Sequence, residues 1–594
     1  MIDKRNALKL SESLFLQCIA GYNVSPRPKP AIAAIFSLLV ILPVFADREE
    51  LDGTFGGLKL PKLKRNTSRT TDLAQALDNG FHIRGRTEYL AMKSYYELLG
   101  PGKPTRTVLT VTCLFSFILY GFEQGALANI QNHPVFQSQF GHPSGNYLGI
   151  IVSVYNLGSF FGCMINFFIG DKLGRRKTVW AGFTLVIIGI ILQTSSYSVV
   201  QLFFGRFISG LGTGMETSTV PMFQAEVASA HNRGGLVAAE PQGVALGISI
   251  SYWIGYGCSK RYDETSWRLP VGIQMLFAVF AWFLLFLCPE SPRWLMKKGR
   301  VDDARNCLAR INDVPKDDPL VNKCIDDILY LQEVEGEGDQ ISWWDILRGR
   351  DAMHGRYRLF LCVMAQFWNQ FGGVNLVVYY VPLVLETNVG MDTNMSTILG
   401  GCIMVTFFIF GFIPSLWLDR IGRRFALIGG SLGQMVSMMM ITILLRVGSK
   451  STSAAAVAFF FTFMAFFGAA MNCVPWVYVS EILPLQLRSK GNAIGISSNW
   501  IMNFVIAMIT PIVTENLGWK TYIIFTLTNG AAALMFYLFC PETGNRTLED
   551  IESIFLSQNT LFYGISHFDK PVANLDEKPE IMHLETASKL LESN

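Results

Sequence analysis

The chain has 594 residues, of which 50% are hydrophobic and only 16% are charged, against roughly 25% charged in a typical soluble domain. Its mean hydropathy of +0.32 excludes the ordinary soluble class, and its net charge of +3 is no nucleic-acid footprint, because the basic residues sit between apolar runs. Most of the 11 cysteines, Cys163 and Cys402 for example, lie singly inside apolar stretches without metal-ligand or disulfide spacing. No metal and no cofactor is therefore expected.

In chain order, residues 1–106 read as a cytoplasmic N-terminal extension, largely disordered. Within it, 31–46 is an apolar run of 16 residues with Pro43 inside, nearer in length to a signal-peptide core than to a spanning helix. A spurious extension, a signal and an extra anchor all remain open for it. Beyond it, runs such as 179–193, 270–288 and 522–540 approach or reach the ~18–20 apolar residues of a spanning helix. In hydrocarbon every backbone polar group must be paired within the segment, so these runs are predicted helices.

The first set falls at about 107–130, 147–170, 177–196, 200–225, 236–257 and 269–288. The second falls at about 357–386, 396–418, 425–446, 454–480, 491–514 and 521–540. The fold class expected is thus an all-α membrane protein with twelve transmembrane helices in two pseudo-symmetric six-helix bundles (107–288 and 357–540). Between them, 289–356 predicts an intracellular linker of short amphipathic helices, at Val301-Asp-Asp-Ala-Arg305 and Ile341-Ser-Trp-Trp-Asp-Ile346. Trp343 and Trp344 there suit the headgroup level. Residues 541–594 read as a mobile cytoplasmic tail.

Basic residues orient these spans. Lys172, Arg175, Arg176 and Lys177 follow the second helix, Arg233 the fourth, Arg293, Lys297 and Lys298 the sixth, and Arg420, Arg423 and Arg424 the eighth. Residues 131–146 and 386–396 hold no Lys or Arg, although Lys260 and Arg261 break the pattern on that side. Both termini are expected in the cytoplasm, and the plasma membrane is the expected location.

The two halves repeat. Asp171-Lys-Leu-Gly-Arg-Arg returns as Asp419-Arg-Ile-Gly-Arg-Arg at an offset of 248. Glu226 with Arg233 returns as Glu481 with Arg488 at 255, and Pro289-Glu-Ser as Pro541-Glu-Thr at 252. One basic cluster alone would be ordinary topological flanking; three landmarks in register argue for duplicated bundles that rock against each other.

Further residues carry a resemblance. Gly205-Arg206, Pro221 to Glu226, Arg233-Gly234 and Pro289-Glu-Ser-Pro-Arg-Trp-Leu295 stand in the first half. Gly373-Val-Asn375, Tyr379-Tyr380, Pro475-Trp476, Asn499-Trp500, Pro541-Glu-Thr543 and Arg546-Thr-Leu548 stand in the second. On these motifs the chain resembles the sugar porters of the major facilitator superfamily, especially fungal ones, from about Gly121 to Leu548.

The resemblance implies alternating access around a central site, with a sugar or polyol as solute, the lipid bilayer as surroundings and a monomer as the acting unit. Residues matching Gln370, Asn375, Trp476 and Asn499 would contact the sugar, and Tyr379 and Tyr380 would help to gate it from outside. Asp171, Arg175, Arg176, Glu226, Arg233, Glu290 and Arg293 are expected to form a cytoplasmic salt-bridge network. Asp419, Arg423, Arg424, Glu481, Arg488 and Glu542 would continue it, with pairs that cross the seam between halves and break on each turnover.

The residues themselves support a polar site. Gln366, Asn369 and Gln370 are spaced i, i+3 and i+4, one face of helix seven. Gly372-Gly373 offers a break that would turn Asn375 inward, and Asn499 and Asn503 share a face of helix eleven. Buried amides in hydrocarbon are costly unless they serve one another or a solute. Departures from the family pattern lie at Phe167, Asn369, Thr406-Phe407-Phe408, Asn472-Cys473 and Gln242, so glucose itself is not the expected solute.

Helix one carries Glu123 where proton-coupled porters carry Asp, and Arg206 matches its usual partner. Burial favours the neutral acid and a nearby guanidinium the carboxylate, so opening the pair switches protonation. Proton symport is expected, with passive facilitation and a non-transporting nutrient sensor as alternatives. No nucleophile–base constellation, metal triad or phosphate-binding glycine loop points to an enzyme.

Overall fold

The computed structural model describes residues 100–143, 145–227, 233–337, 354–483 and 485–544, with 546, 551 and 555, and omits the side chains of 233–238, 331–337 and 485–489. The expectations for the N-terminal extension, the Trp343–Trp344 segment and most of the tail lie outside the described residues, as do the side chains of Arg233 and Arg488.

Among the described residues the regular structure is helical throughout. The first half holds α1 (Lys103–Gly125), a short α2 (Pro134–Gln139), α3 (Gly145–Leu173), α4 (Arg175–Thr194), α5 (Val199–Val227), α6 (Arg233–Cys258) and α7 (Thr265–Leu284). The linker holds α8 (Pro292–Lys297), α9 (Val301–Asn312) and α10 (Pro319–Glu337). The second half holds α11 (Gly355–Phe371), α12 (Val374–Val384), α13 (Thr393–Phe410), α14 (Ile413–Ile421) and α15 (Arg423–Val447). It ends with α16 (Lys450–Phe466), α17 (Val474–Ile482), α18 (Leu485–Leu517) and α19 (Thr521–Phe539).

These are the twelve expected spans, with one difference: spans seven, eight and ten are each broken in two. Gly372-Gly373 separates α11 from α12, and Gly373 adopts φ 93°, a conformation that glycine accepts at no steric cost. A side chain there would also collide with the Phe525 ring. The Gly372 carbonyl left over by the break accepts from Asn529 Nδ2 at 2.8 Å. In span eight, Pro414 follows the Gly411-Phe412 break; having no N–H, it leaves the carbonyl one turn before it without a helical donor. In span ten, a wide turn at Phe467–Met471 precedes Pro475, and the Met471 carbonyl accepts from the Asn369 amide.

Eight segments among the described residues are long and apolar enough to cross a membrane. One of the eight, Lys490–Phe539, takes in both of the last two spans; of the spans left out, α11 and α12 are halves of one, α5 carries Arg206 and Glu216, both buried, and α6 carries Glu240, also buried. Large apolar side chains such as Phe168, Leu276, Leu416 and Leu527 stand exposed, as they must where the solvent is lipid. Within each half the helices pack pairwise, and α3 with α18 and α6 with α13 join the halves.

Small residues set the closest approach. Gly158 and Gly162 of α3 face Gly210 and Gly214 of α5, and a Cβ at any of the four would meet the opposite backbone. Between membrane helices, where water drives nothing together, such contact is the main source of affinity. Gly158→Val and Gly214→Val are each expected to destabilise the protein by about 1–3 kcal/mol through overpacking, read as a lower Tm in detergent. Gly257→Ala, with nothing near the added methyl, should leave Tm unchanged or slightly raised.

Candidate functional site

The breaks converge. A narrow cavity lies at the seam, lined from the first half by α1 and α6 and from the second by α11, α12, α13 and span ten. Its lining combines amides, from Gln124, Asn369, Gln370, Asn375 and Asn472, with aromatic rings, from Phe117, Tyr120, Phe407, Phe467 and Trp476. Neutral donors and acceptors beside ring surfaces suit a molecule with hydroxyl edges and C–H faces.

The amides hold one another in place. Gln370 Nε2 donates to Asn369 Oδ1 at 2.8 Å and to Asn499 Oδ1 at 3.2 Å. Gln370 Oε1 accepts from Asn375 Nδ2 at 2.7 Å, which requires the α11–α12 break to bring Asn375 back toward α11. Asn499 Nδ2 donates to Gln366 Oε1 at 2.8 Å and to Asn369 Oδ1 at 3.2 Å.

Of the expected site residues, Asn369, Gln370, Asn375 and Trp476 line the cavity. Gln366 and Asn499 stand behind that wall and orient it. Asn503 accepts from Tyr379 Oη at 3.4 Å and belongs to the gate. Sequence reasoning missed Gln124, Tyr120 and Asn472 as lining residues. Phe117, Tyr120 and Gln124 follow one helical face of α1, a periodicity that was available. Asn472, noted as a departure, reaches across the seam and donates to Pro241 O at 3.1 Å. Gln242 turns instead toward Gly411, and its amide has no hydrogen-bond partner.

On the side opposite the linker, α12 closes the cavity with contacts to both halves. Tyr379 Oη donates to Asn156 Oδ1 at 3.1 Å, and Gln131 Nε2 donates to the Tyr379 carbonyl at 2.9 Å. Tyr252 Oη donates to Val378 O at 2.7 Å, and Tyr380 Oη to Ala507 O at 2.9 Å. The two tyrosines expected to gate thus sit in a hydrogen-bonded lid.

Glu123 and Arg206 meet inside the first half, 3% and 1% exposed. Glu123 Oε1 takes Arg206 Nη1 at 3.5 Å, Gln193 Nε2 at 2.9 Å and Ser209 Oγ at 3.3 Å, while its Oε2 has no partner. Arg206 Nη2 also donates to Val152 O at 3.1 Å. This carboxylate has several donors and one long ion pair, so removing its charge leaves a hydrogen-bonded shell.

The linker side repeats one construction twice. Arg175 bridges Asp171 at 2.9 Å and grips both oxygens of Glu226 at 3.2 Å. Arg423 bridges Asp419 at 2.8 Å and grips Glu481 at 3.2 and 2.9 Å. Ser291 Oγ donates to Glu226 at 2.5 Å, and Thr543 Oγ1 to Glu481 at 2.7 Å. Arg175–Glu226 and Arg423–Glu481 are ion pairs within a half, and the pairs expected of Arg233 and Arg488 lie outside the described side chains. Arg293 makes no ion pair there, and Lys297, not foreseen, joins Asp171 at 2.9 Å.

Glu290 and Glu542 cap helices. Glu290 Oε1 accepts from the amides of Arg175 and Arg176 at 2.9 and 3.1 Å, the unsatisfied first turn of α4. Glu542 accepts from the amides of Arg423 and Arg424 at 2.7 and 3.0 Å at the start of α15. Burial pushes the Glu290 carboxyl above its ordinary range, opposed by the Ser291 and Arg176 amides and the Arg176 and Arg175 charges. Glu290→Ala and Glu542→Ala are each expected to cost about 1–2 kcal/mol, the scale of a lost N-terminal cap, measured as a fall in Tm in detergent.

The sequence matches the family described as "Sugar (and other) transporter" over residues 108–555. It is 37% identical to the MFS-type transporter oryC of Aspergillus oryzae, covering 79% of this chain and 88% of that one. It is 31% identical to the sugar transporter STL1 of Saccharomyces cerevisiae, covering 79% and 84%. The fold matches that of the xylose transporter XylE from E. coli, in a partially occluded inward-open conformation, with TM-score 0.63 and 22% identity over 75% of this chain and 99% of that one.

Proposed function

Because the chain belongs to the sugar porter family of the major facilitator superfamily, we propose that it carries a small sugar or polyol across a membrane by alternating access, in symport with protons. The observation that carries the solute class is the seam cavity lined by both neutral amides and aromatic rings. Opening at the α12 lid admits solute to Asn369, Gln370 and Asn375. Closing that lid and parting α6 from α17, where Asn472 holds Pro241 O, releases it toward the linker side. The linker side is the cytoplasm by its basic residues, and the chain acts as a monomer.

Phe407 stands in the cavity wall, within the stretch Thr406-Phe407-Phe408 that lacks the asparagine expected from the resemblance, so the hydroxyls of the solute are met from α1, α11, α12 and Asn472. This favours a solute with fewer or differently placed hydroxyls than glucose. A competition panel of hexoses, pentoses, disaccharides, polyols and quinate, each at two pH values, is expected to reveal one inhibiting class in proteoliposomes. Absence of uptake for every compound would overturn the carrier in favour of a sensor. Gln370→Ala removes the centre of the amide network and should raise KM about 5- to 30-fold, the 1–2 kcal/mol of one or two buried hydrogen bonds.

Coupling rests on Glu123. Moving one charge across 100 mV supplies ~2.3 kcal/mol, about a 50-fold gradient. Glu123→Gln is expected to abolish uphill accumulation while leaving exchange of solute for solute. Unchanged accumulation with unaltered pH dependence would exclude Glu123 as the coupling group.

A further inference from the structure

A second carboxylate lies deeper in the first half, away from the seam cavity and its lining. Glu216 of α5 is 1% exposed. Its Oε2 accepts from Ser116 Oγ of α1 at 2.5 Å, and its Oε1 has no partner. It makes no ion pair among the described residues. Glu216 shares a face of α5 with Arg206, Ser209 and Thr213, spaced three, four and three residues apart. Opposite them α1 presents Glu123, Ser116 and Thr112 on one face, and all seven side chains are buried.

The two helices run antiparallel, so both rows descend together from Glu123 toward the linker side. At 1.5 Å per residue, the seven residues from Glu123 to Ser116 place the second carboxylate about 10 Å below the first. Thr112 Oγ1, one turn lower, touches Cys288 Sγ at 3.6 Å, close to the linker-side end of α7.

The other neighbours leave Glu216 without a counter-ion. From α4 comes Gly182, whose added Cβ would press on the Glu216 side chain. From α3 comes Cys163, which donates to Gly214 O at 3.2 Å. From α18 comes Trp500, bonded to Thr217 Oγ1 at 3.3 Å. On α6, Glu240 is a further buried carboxyl and brings no cation. A buried acid without a cation is expensive to keep in hydrocarbon and, where it serves only packing, an apolar residue does the same work at lower cost.

We propose that Glu216 is a second proton-binding carboxyl, the inner station of a relay that begins at Glu123 and runs through the first half, apart from the solute path. The proposal rests on the symport reading. Glu123 takes up a proton from the side opposite the linker. The proton passes by way of the Ser209 and Thr213 hydroxyls, with water bridging each turn-high gap; each hydroxyl accepts one proton and passes on its own. Glu216 becomes the neutral acid, and Glu123 returns to a carboxylate beside Arg206. Glu216 then gives its proton to water on the linker side past Ser116 and Thr112.

The test uses proteoliposomes with labelled glucose, xylose and glycerol, keeping whichever the wild type exchanges. Glu216→Gln is expected to retain solute counterflow within about two-fold while losing pH-gradient-driven accumulation by ten-fold or more, with partial recovery in Glu216→Asp. Thr213→Val should slow accumulation and spare counterflow. Wild-type accumulation in Glu216→Gln, beside its loss in Glu123→Gln, would overturn the relay and leave symport standing. Loss of counterflow in both Glu216→Gln and Glu216→Asp would also overturn it, by making Glu216 a packing residue. A wild type that moves solute without any proton flux would overturn symport and the relay together.

Discussion

Backbone amides and carbonyls cannot be left unpaired in hydrocarbon, and the architecture follows from that one demand. It forces every span into a helix, and it allows a helix to break only where side chains collect the groups set free. The second half breaks three spans, and two of the breaks have a visible answer. Asn529 takes the Gly372 carbonyl, and Asn369 takes that of Met471. Asn369 thereby does two things: it closes the account of a broken helix and turns its carbonyl oxygen toward Gln370 and Asn499. The cavity wall and the repair of the backbone are made of the same amides.

That coupling bears on movement. The backbone of the span is interrupted next to α12, at Gly372-Gly373, and the two tyrosine hydroxyls tie α12 to Asn156 of the first half and to Asn503 and Ala507 of the second. Contacts of that kind are individually modest, roughly 1 kcal/mol net, so they hold a closed state without trapping it. The tighter constructions, the Arg175 and Arg423 clusters, lie within their own halves. They tie together the linker-side ends of helices within each bundle. Glu290 and Glu542 show the duplication at atomic scale: the same carboxylate caps the corresponding helix in both halves, although the surrounding sequences have drifted apart.

The halves have nonetheless diverged in what they bury. The second half concentrates neutral amides beside the seam, while the first holds its carboxylates inside, at Glu123, Glu216 and Glu240. The amides and the carboxylates thus lie in different bundles, and α1 serves both: Tyr120 and Gln124 line the cavity, while Ser116 and Glu123 bond to side chains of α5.

Much of this was legible in the residues alone. Apolar run length set the helix count, basic flanks set a direction, and three landmarks repeating at about 250 residues revealed the duplication. Glu123 with Arg206, and the face Gln366–Asn369–Gln370, were visible because hydrocarbon makes any polar residue in a span conspicuous. Depth within the wall was not visible. Gln366, Asn369 and Asn499 look alike along the chain, yet only Asn369 among them lines the cavity, because the crossing of α11 with α18 decides which amide faces inward. Partner choice was likewise hidden: charge spacing could not say that Arg175 would grip Glu226 in its own half. Composition and periodicity act along one helix, and so determine that helices form and which faces are polar. Which polar face meets which is settled by packing between helices far apart in sequence, and only the tertiary structure holds that information.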